Sequence, residues 1–185
     1  MNVQNPIQFE PITAAHSGPV ELTILPEATR FNLRIDPAGL AAASTAFGVD
    51  LPERIGGWAE SATRSAICLG PDEWVLLAEE TDRQAIEASF AGIYSDVPHS
   101  LTDISDREIA IEITGDRAAE LLTVACPRNL DAIAPGSGVR TLFDSAQVVL
   151  YRDTSDKFRI EVWRSFFPHV WELLIIANKE LASGL

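Results

Sequence analysis

The clearest hydrophobic pattern in the chain lies in residues 101–127. Thr102 and Ile104, then Ile109, Ile111 and Ile113, alternate with other residues at period two. That spacing predicts two strands, each burying one face and wetting the other. Ser105, Asp106 and Arg107 stand at their junction. Gly115 breaks the alternation, Asp116 puts negative charge in the first turn of a helix, and Ala118, Leu121, Leu122 and Ala125 recur at helical spacing until Pro127. Such a one-faced unit needs a neighbouring layer to cover it.

The same reading extends over the rest of the chain. Residues 1–19 hold three prolines and no steady period, which predicts an arm. A short strand is expected at 20–25 and a second around Phe31, Leu33 and Ile35. Asp36 as N-cap and Pro37 open a helix filled by Leu40, Ala41, Ala43 and Phe47 and ended by Gly48. Residues 51–60 read as a loop pinned by Trp58. Strands at 62–69 and 73–78 flank a turn at Gly70, Pro71 and Asp72, followed by a helix over 79–94 and a strand over 99–104.

The order over 29–105 is that of a split βαβ unit. Residues 107–182 repeat it with a strand at 107–114, a helix at 116–125, a loop at 135–138, strands near 139–151 and 157–163, and a long helix from 166 that Ser165 would cap. Its closing strand is missing, and 20–25 is the unpaired segment able to supply it. The prediction is an α+β fold with two interlocked split-βαβ (ferredoxin-like) halves. They form one domain over 20–185, with lobes of about 29–105 and 107–182. Phe167, Val170, Trp171 and Leu174 form one stripe of the last helix, and Phe166, Leu173, Ile176 and Ala177 a second. So wide an apolar surface fits a helix sunk between two sheets, or a subunit contact.

With 27 acidic against 14 basic residues, a net charge of −13 repels phosphate backbones and excludes nucleic acid as a partner class. All basic residues but Lys157 and Lys179 are arginine, which suits bidentate contacts at interfaces. No apolar run reaches membrane-spanning length and the first residues lack signal-peptide character, so the expected setting is cytoplasmic, away from membranes.

Cys68 and Cys126 lack zinc-ligand spacing and are expected as buried thiols; His16, His99 and His169 share no metal-binding spacing. No nucleophile elbow, phosphate loop or dinucleotide fingerprint occurs, so no catalytic residue is assigned. Asp103, Asp106 and Arg107 are the most interesting charged group. They read either as a small-molecule pocket at a strand end or as an Asx turn with Arg107 paired to a nearby acid. Arg164 is an interface donor or a solvated loop charge, and Trp74, Trp163 and Trp171 are core or interface anchors.

Five segments taken in order carry a family resemblance. They are Cys68-Leu69-Gly70-Pro71-Asp72-Glu73-Trp74, Thr102-Asp103-Ile104-Ser105-Asp106-Arg107, Gly115-Asp116-Arg117-Ala118 through Leu121-Leu122, Cys126-Pro127, and Arg164-Ser165-Phe166 with Trp171. Over about residues 25–178 the chain resembles the gamma subunit of heterotetrameric sarcosine oxidase. More distantly it resembles the folate-binding domain of glycine-cleavage aminomethyltransferases.

The resemblance implies a complex that oxidises sarcosine to glycine. It places FAD and FMN on the beta subunit, NAD and a folate site on the alpha subunit, and zinc on the delta subunit. The gamma chain then carries no cofactor and docks on alpha. Arg164, Phe166, Phe167, Val170 and Trp171 are the interface candidates, and Asp103 with Arg107 the candidate folate-like pocket of an alternative, a one-carbon transferase. Asn129 and the Phe167-Pro168-His169 run depart from the family pattern.

Overall fold

The computed structural model describes residues 18–184; of the arm expected over 1–19, all but Gly18 and Pro19 lies outside them, as does His16. The described residues form ten strands and four α-helices. Strand β1 is Glu21–Ile24, β2 Thr29–Ile35, helix α1 Leu40–Phe47, β3 Trp58–Glu60, β4 Arg64–Gly70 and β5 Glu73–Ala78. Then come α2 Arg83–Ile93, β6 His99–Asp103, β7 Glu108–Thr114, α3 Ala118–Leu122, β8 Ser137–Phe143, β9 Ala146–Arg152, β10 Lys157–Trp163 and α4 Phe167–Ser183. Two five-stranded sheets result, in the orders β3-β4-β5-β2-β6 and β1-β7-β10-β9-β8, with every pairing antiparallel. The fold class is α+β.

Local chemistry explains the element ends. Asp36 accepts from the Ala38 amide and Pro37 starts the first helical turn, as the sequence predicts. Gly48 closes α1 in the left-handed region at φ 81°, where a side chain would be strained. The stretch 139–151, expected as continuous strand, folds back as a hairpin at Asp144 and Ser145, with Asp144 at φ 52°. The loop expected at 51–60 contains β3. Ser165 does not cap α4, which starts after Phe166 without any side-chain cap.

Each sheet has its own helical cover. Phe31, Leu33, Trp74 and Leu76 meet Phe47, Ile86 and Phe90 in one core. Leu22, Ile111, Ile113, Phe158, Ile160 and Val162 meet Leu121, Leu122, Val170 and Leu174 in another. A third, smaller cluster of Ile67, Val75, Leu77, Val149 and Tyr151 joins the opposite faces of the two sheets. The layers therefore run helices, sheet, sheet, helices, and α4 covers one sheet instead of lying between two. This corrects the expected wet faces as well. Glu108 is 6% exposed and Glu161 2%, because the alternate positions of β7 and β10 face the other sheet.

Strand β1 pairs with β7, Leu22 opposite Ile113 and Ile24 opposite Ile111, and so lines the outer edge of the second sheet. A latch holds it there. Buried Asn178 of α4 accepts from the Val20 amide at 3.1 Å and donates to the Val20 carbonyl at 2.7 Å. Gly18 passes so close to Asn178 that a Cβ would collide with its backbone and side chain. Asn178→Ala orphans two buried backbone groups, so urea unfolding should report a loss of about 2–4 kcal/mol. Amide exchange in β1 should accelerate more than in β9.

Candidate functional site

The seam between the sheets concentrates the charged side chains that strand parity turns inward. Arg30 of β2 donates from Nε to Glu161 of β10 at 2.9 Å, their side chains 3% and 1% exposed. At the other end Arg140 of β8 donates from Nη1 to Glu73 of β5 at 2.9 Å, while the Asn32 amide and Arg34 reach the same carboxylate at 2.9 and 3.1 Å. The Arg140 hydrogen bonds hold the Glu73 carboxyl below its ordinary range, burial opposing them. One row along the same face, the Arg159 guanidinium lies 4.3 Å from the Tyr151 ring centre and 4.8 Å from that of Trp58. Burial pushes the Tyr151 phenol and the Glu108 carboxyl up, keeping protons on both more readily.

Asp103 and Arg107 sit where β6 passes into β7. One Asp103 oxygen accepts from the Ser105 amide at 2.8 Å and hydroxyl at 2.6 Å, an Asx turn, and the other pairs with Arg83 at 3.0 Å. Burial raises that carboxyl's pKa, but the Ser105 bonds and Arg83 outweigh it and leave it lowered. Arg107 turns elsewhere, to Glu108 at 2.9 Å and over the Trp163 ring at 5.3 Å. The two candidates thus engage different partners, and neither is among the described residues that line three cavities between or beside the lobes.

The interface candidates divide. Phe167, Val170 and Trp171 are 2%, 0% and 9% exposed and belong to the core under α4, so in this fold they present no outward surface. Phe166 stays 40% exposed beside Trp163 at 39%, their rings 6.4 Å apart. Arg164 donates from Nε to the Asp106 carbonyl at 3.1 Å and pairs with Glu27 at 3.2 Å. Arg107, Trp163, Arg164 and Phe166 therefore form one aromatic and basic patch. The sequence signal for Trp163 was its parity, out of phase with Phe158, Ile160 and Val162.

Among the described residues no group of three potential ligands could hold a metal. His99 contacts the Val97 carbonyl at 2.7 Å and His169 reaches Asp144 at 2.9 Å. Cys68 and Cys126 are both buried and free, and burial pushes the Cys68 thiol up. No described helix is long and apolar enough to cross a membrane.

The model of the sarcosine oxidase, gamma subunit family matches residues 33–180. The chain is 32% identical over 172 residues to sarcosine oxidase subunit gamma of Corynebacterium sp. (strain P-1), covering 90% of this chain and 84% of that one. In structure it is similar to a chain of the heterotetrameric sarcosine oxidase from Corynebacterium sp. U-96, with a TM-score of 0.82 and 29% identity over 92% of this chain and 89% of that one. Glycine cleavage system aminomethyltransferase T from Bartonella henselae shares the fold, with a TM-score of 0.64 and 14% identity over 89% of this chain and 51% of that one.

The seam generates a prediction about acid stability. Glu73→Gln should cost about 2 kcal/mol at pH 7, the scale of a hydrogen bond to a charged group. Because the folded carboxyl titrates below its ordinary 4.5, that contribution is present above 4.5 and is lost as pH falls through the lowered folded value. Urea unfolding at pH 7 and pH 3 should show the gap between wild type and variant shrinking at pH 3.

Proposed function

This chain belongs to the sarcosine oxidase gamma subunit family, and we propose that it serves a heterotetrameric sarcosine oxidase by docking on the alpha subunit while making and breaking no bonds itself. The observation that carries this reading is the exposed Trp163 and Phe166 pair flanked by Arg107 and Arg164. Tryptophan and arginine are the residue types that anchor protein interfaces, and large aromatics left in water on a folded chain mark a surface that another chain covers. Arg107 stacks on Trp163 and pairs with Glu108, so the anchor is held in place before a partner arrives.

In this reading FAD, FMN, NAD, folate and zinc are held by the alpha, beta and delta subunits. The strand orders support two split-βαβ halves, as in the aminomethyltransferase folate-binding domain. In the first half β6-β2-β5-β4 follows that order, and in the second β1-β7-β10-β9 does, with β3 and β8 added at equivalent edges. The candidate pair for a folate-like pocket is otherwise occupied: Asp103 is bound by Ser105 and Arg83.

Co-expression with alpha, beta and delta chains should yield a yellow complex of four different chains, and Trp163→Ala with Phe166→Ala should lower copurification of alpha at least tenfold, about 1.4 kcal/mol or more of binding. Undiminished copurification would move the docking surface elsewhere. Turnover of sarcosine or tetrahydrofolate by the purified chain alone would overturn the non-catalytic reading.

A further inference from the structure

Arginine pairing in this chain singles out one cavity. Nine guanidiniums rest on carboxylates: Arg30, Arg34, Arg64, Arg83, Arg107, Arg117, Arg140, Arg159 and Arg164. Arg152 donates to the Leu130 and Ile133 carbonyls. The remaining two, Arg54 and Arg128, have side chains that make no hydrogen bond or ion pair among the described residues. Both line the same cavity of about 490 Å³, far apart in sequence and brought together only by the fold. In a chain with 27 acidic residues, free guanidiniums meeting at one concave site are unexpected of a solvated surface.

The rest of the lining agrees. Arg140 adds a third guanidinium, whose Nε–H is buried without a hydrogen-bond partner although its other nitrogens hold Glu73. No aspartate or glutamate lines the cavity, and the nearby Glu73 carboxylate is already held by Arg140, which leaves Arg54 and Arg128 as the uncompensated charges. Leu69, Ile133 and Val139 supply an apolar wall, and Ile55, 59% exposed, also lines it. The two glycine amides at the site are already used: Gly56 donates to the Cys68 carbonyl and Gly138 to the Gly56 carbonyl. Recognition therefore falls to the guanidinium forks, which match carboxylates two N–H groups at a time, while the size is that of a small-molecule pocket.

We propose that this cavity binds a small organic dicarboxylate, Arg54 and Arg128 each gripping one carboxylate and the Leu69, Ile133 and Val139 wall taking the carbon chain between them. The site lies between the 51–57 loop with β4 on one lobe and the 128–134 segment with β8 on the other, so a bound dianion would bridge the lobes. It shares no residue with the Trp163 and Phe166 patch and does not rest on the docking reading.

The test is calorimetric titration of the purified full chain, and of the complex that contains it, with succinate, glutarate and inorganic phosphate. Saturable binding of a dicarboxylate is expected, tighter than phosphate and weakened by salt. Arg54→Gln with Arg128→Gln should weaken it at least tenfold, since each lost charged fork is worth about a factor of ten or more. Both side chains are exposed and unpaired, so the melting temperature should not move; Arg117→Gln, just before α3 and not among the cavity residues, should leave binding unchanged. No saturable binding, equal binding by the double variant, or phosphate binding as tightly as the dicarboxylates would each overturn the proposal. Loss of partner chains from the double variant without any small-anion binding would overturn it too, and would assign the arginines to acidic side chains of a neighbour.

Discussion

The ion pair between Arg30 and Glu161 is the constraint on which the arrangement of the two sheets depends. It joins β2 of one sheet to β10 of the other with both side chains almost wholly removed from water. Removing such charges from water costs several kcal/mol each, and their mutual attraction roughly offsets that cost. The pair therefore adds little net stability. Its effect is on register: any sliding of one sheet over the other leaves a buried charge alone, which is far more costly than the pair is favourable. Arg140 and Glu73 tie the sheets at a second point more loosely, because Arg140 is 35% exposed and Arg34 and Asn32 of Glu73's own sheet also hold that carboxylate.

This division of labour fits the packing. Each sheet has a large apolar core against its own helices, so most of the apolar burial lies within the lobes and not between them. The middle layer is thin, its apolar cluster among the described residues being Ile67, Val75, Leu77, Val149 and Tyr151, and a small apolar contact is tolerant of sliding. Directional charged contacts supply the specificity that layer lacks. The chain adds a covalent tie by sending β1 across from the start of the described residues to the edge of the second sheet, where Asn178 fastens it.

Surface and seam are linked through β10. Its alternate residues Arg159, Glu161 and Trp163 share one side of the strand, and the first two are absorbed by the seam. Trp163, at the strand end, stays 39% exposed and takes Arg107 and Phe166 as neighbours. The docking patch is thus the open end of the row that registers the sheets. The cavity with Arg54 and Arg128 lies on the same inter-lobe boundary, so both proposed contacts sit where the lobes meet.

Residue spacing alone determined which side chains share a face. The alternation in 108–114, the Asp36 cap, the Gly48 stop and the turn at Gly70 to Asp72 are local preferences, and each appears where the pattern placed it. The order of short motifs carried the family. Parity, however, says nothing about what covers a face. The polar side of β7 read as solvent-facing because its Glu residues favour water, and only the opposing sheet, which also supplies Arg30 to Glu161 of the neighbouring β10, decided that this side is covered. The same holds for Phe167, Val170 and Trp171, whose large apolar side chains suited a partner as well as a core until α4 was seen to lie on the second sheet. The meeting of Arg54 with Arg128 and the company of Trp163 are also decisions of the tertiary structure, because they join segments whose separation along the chain leaves no periodic trace.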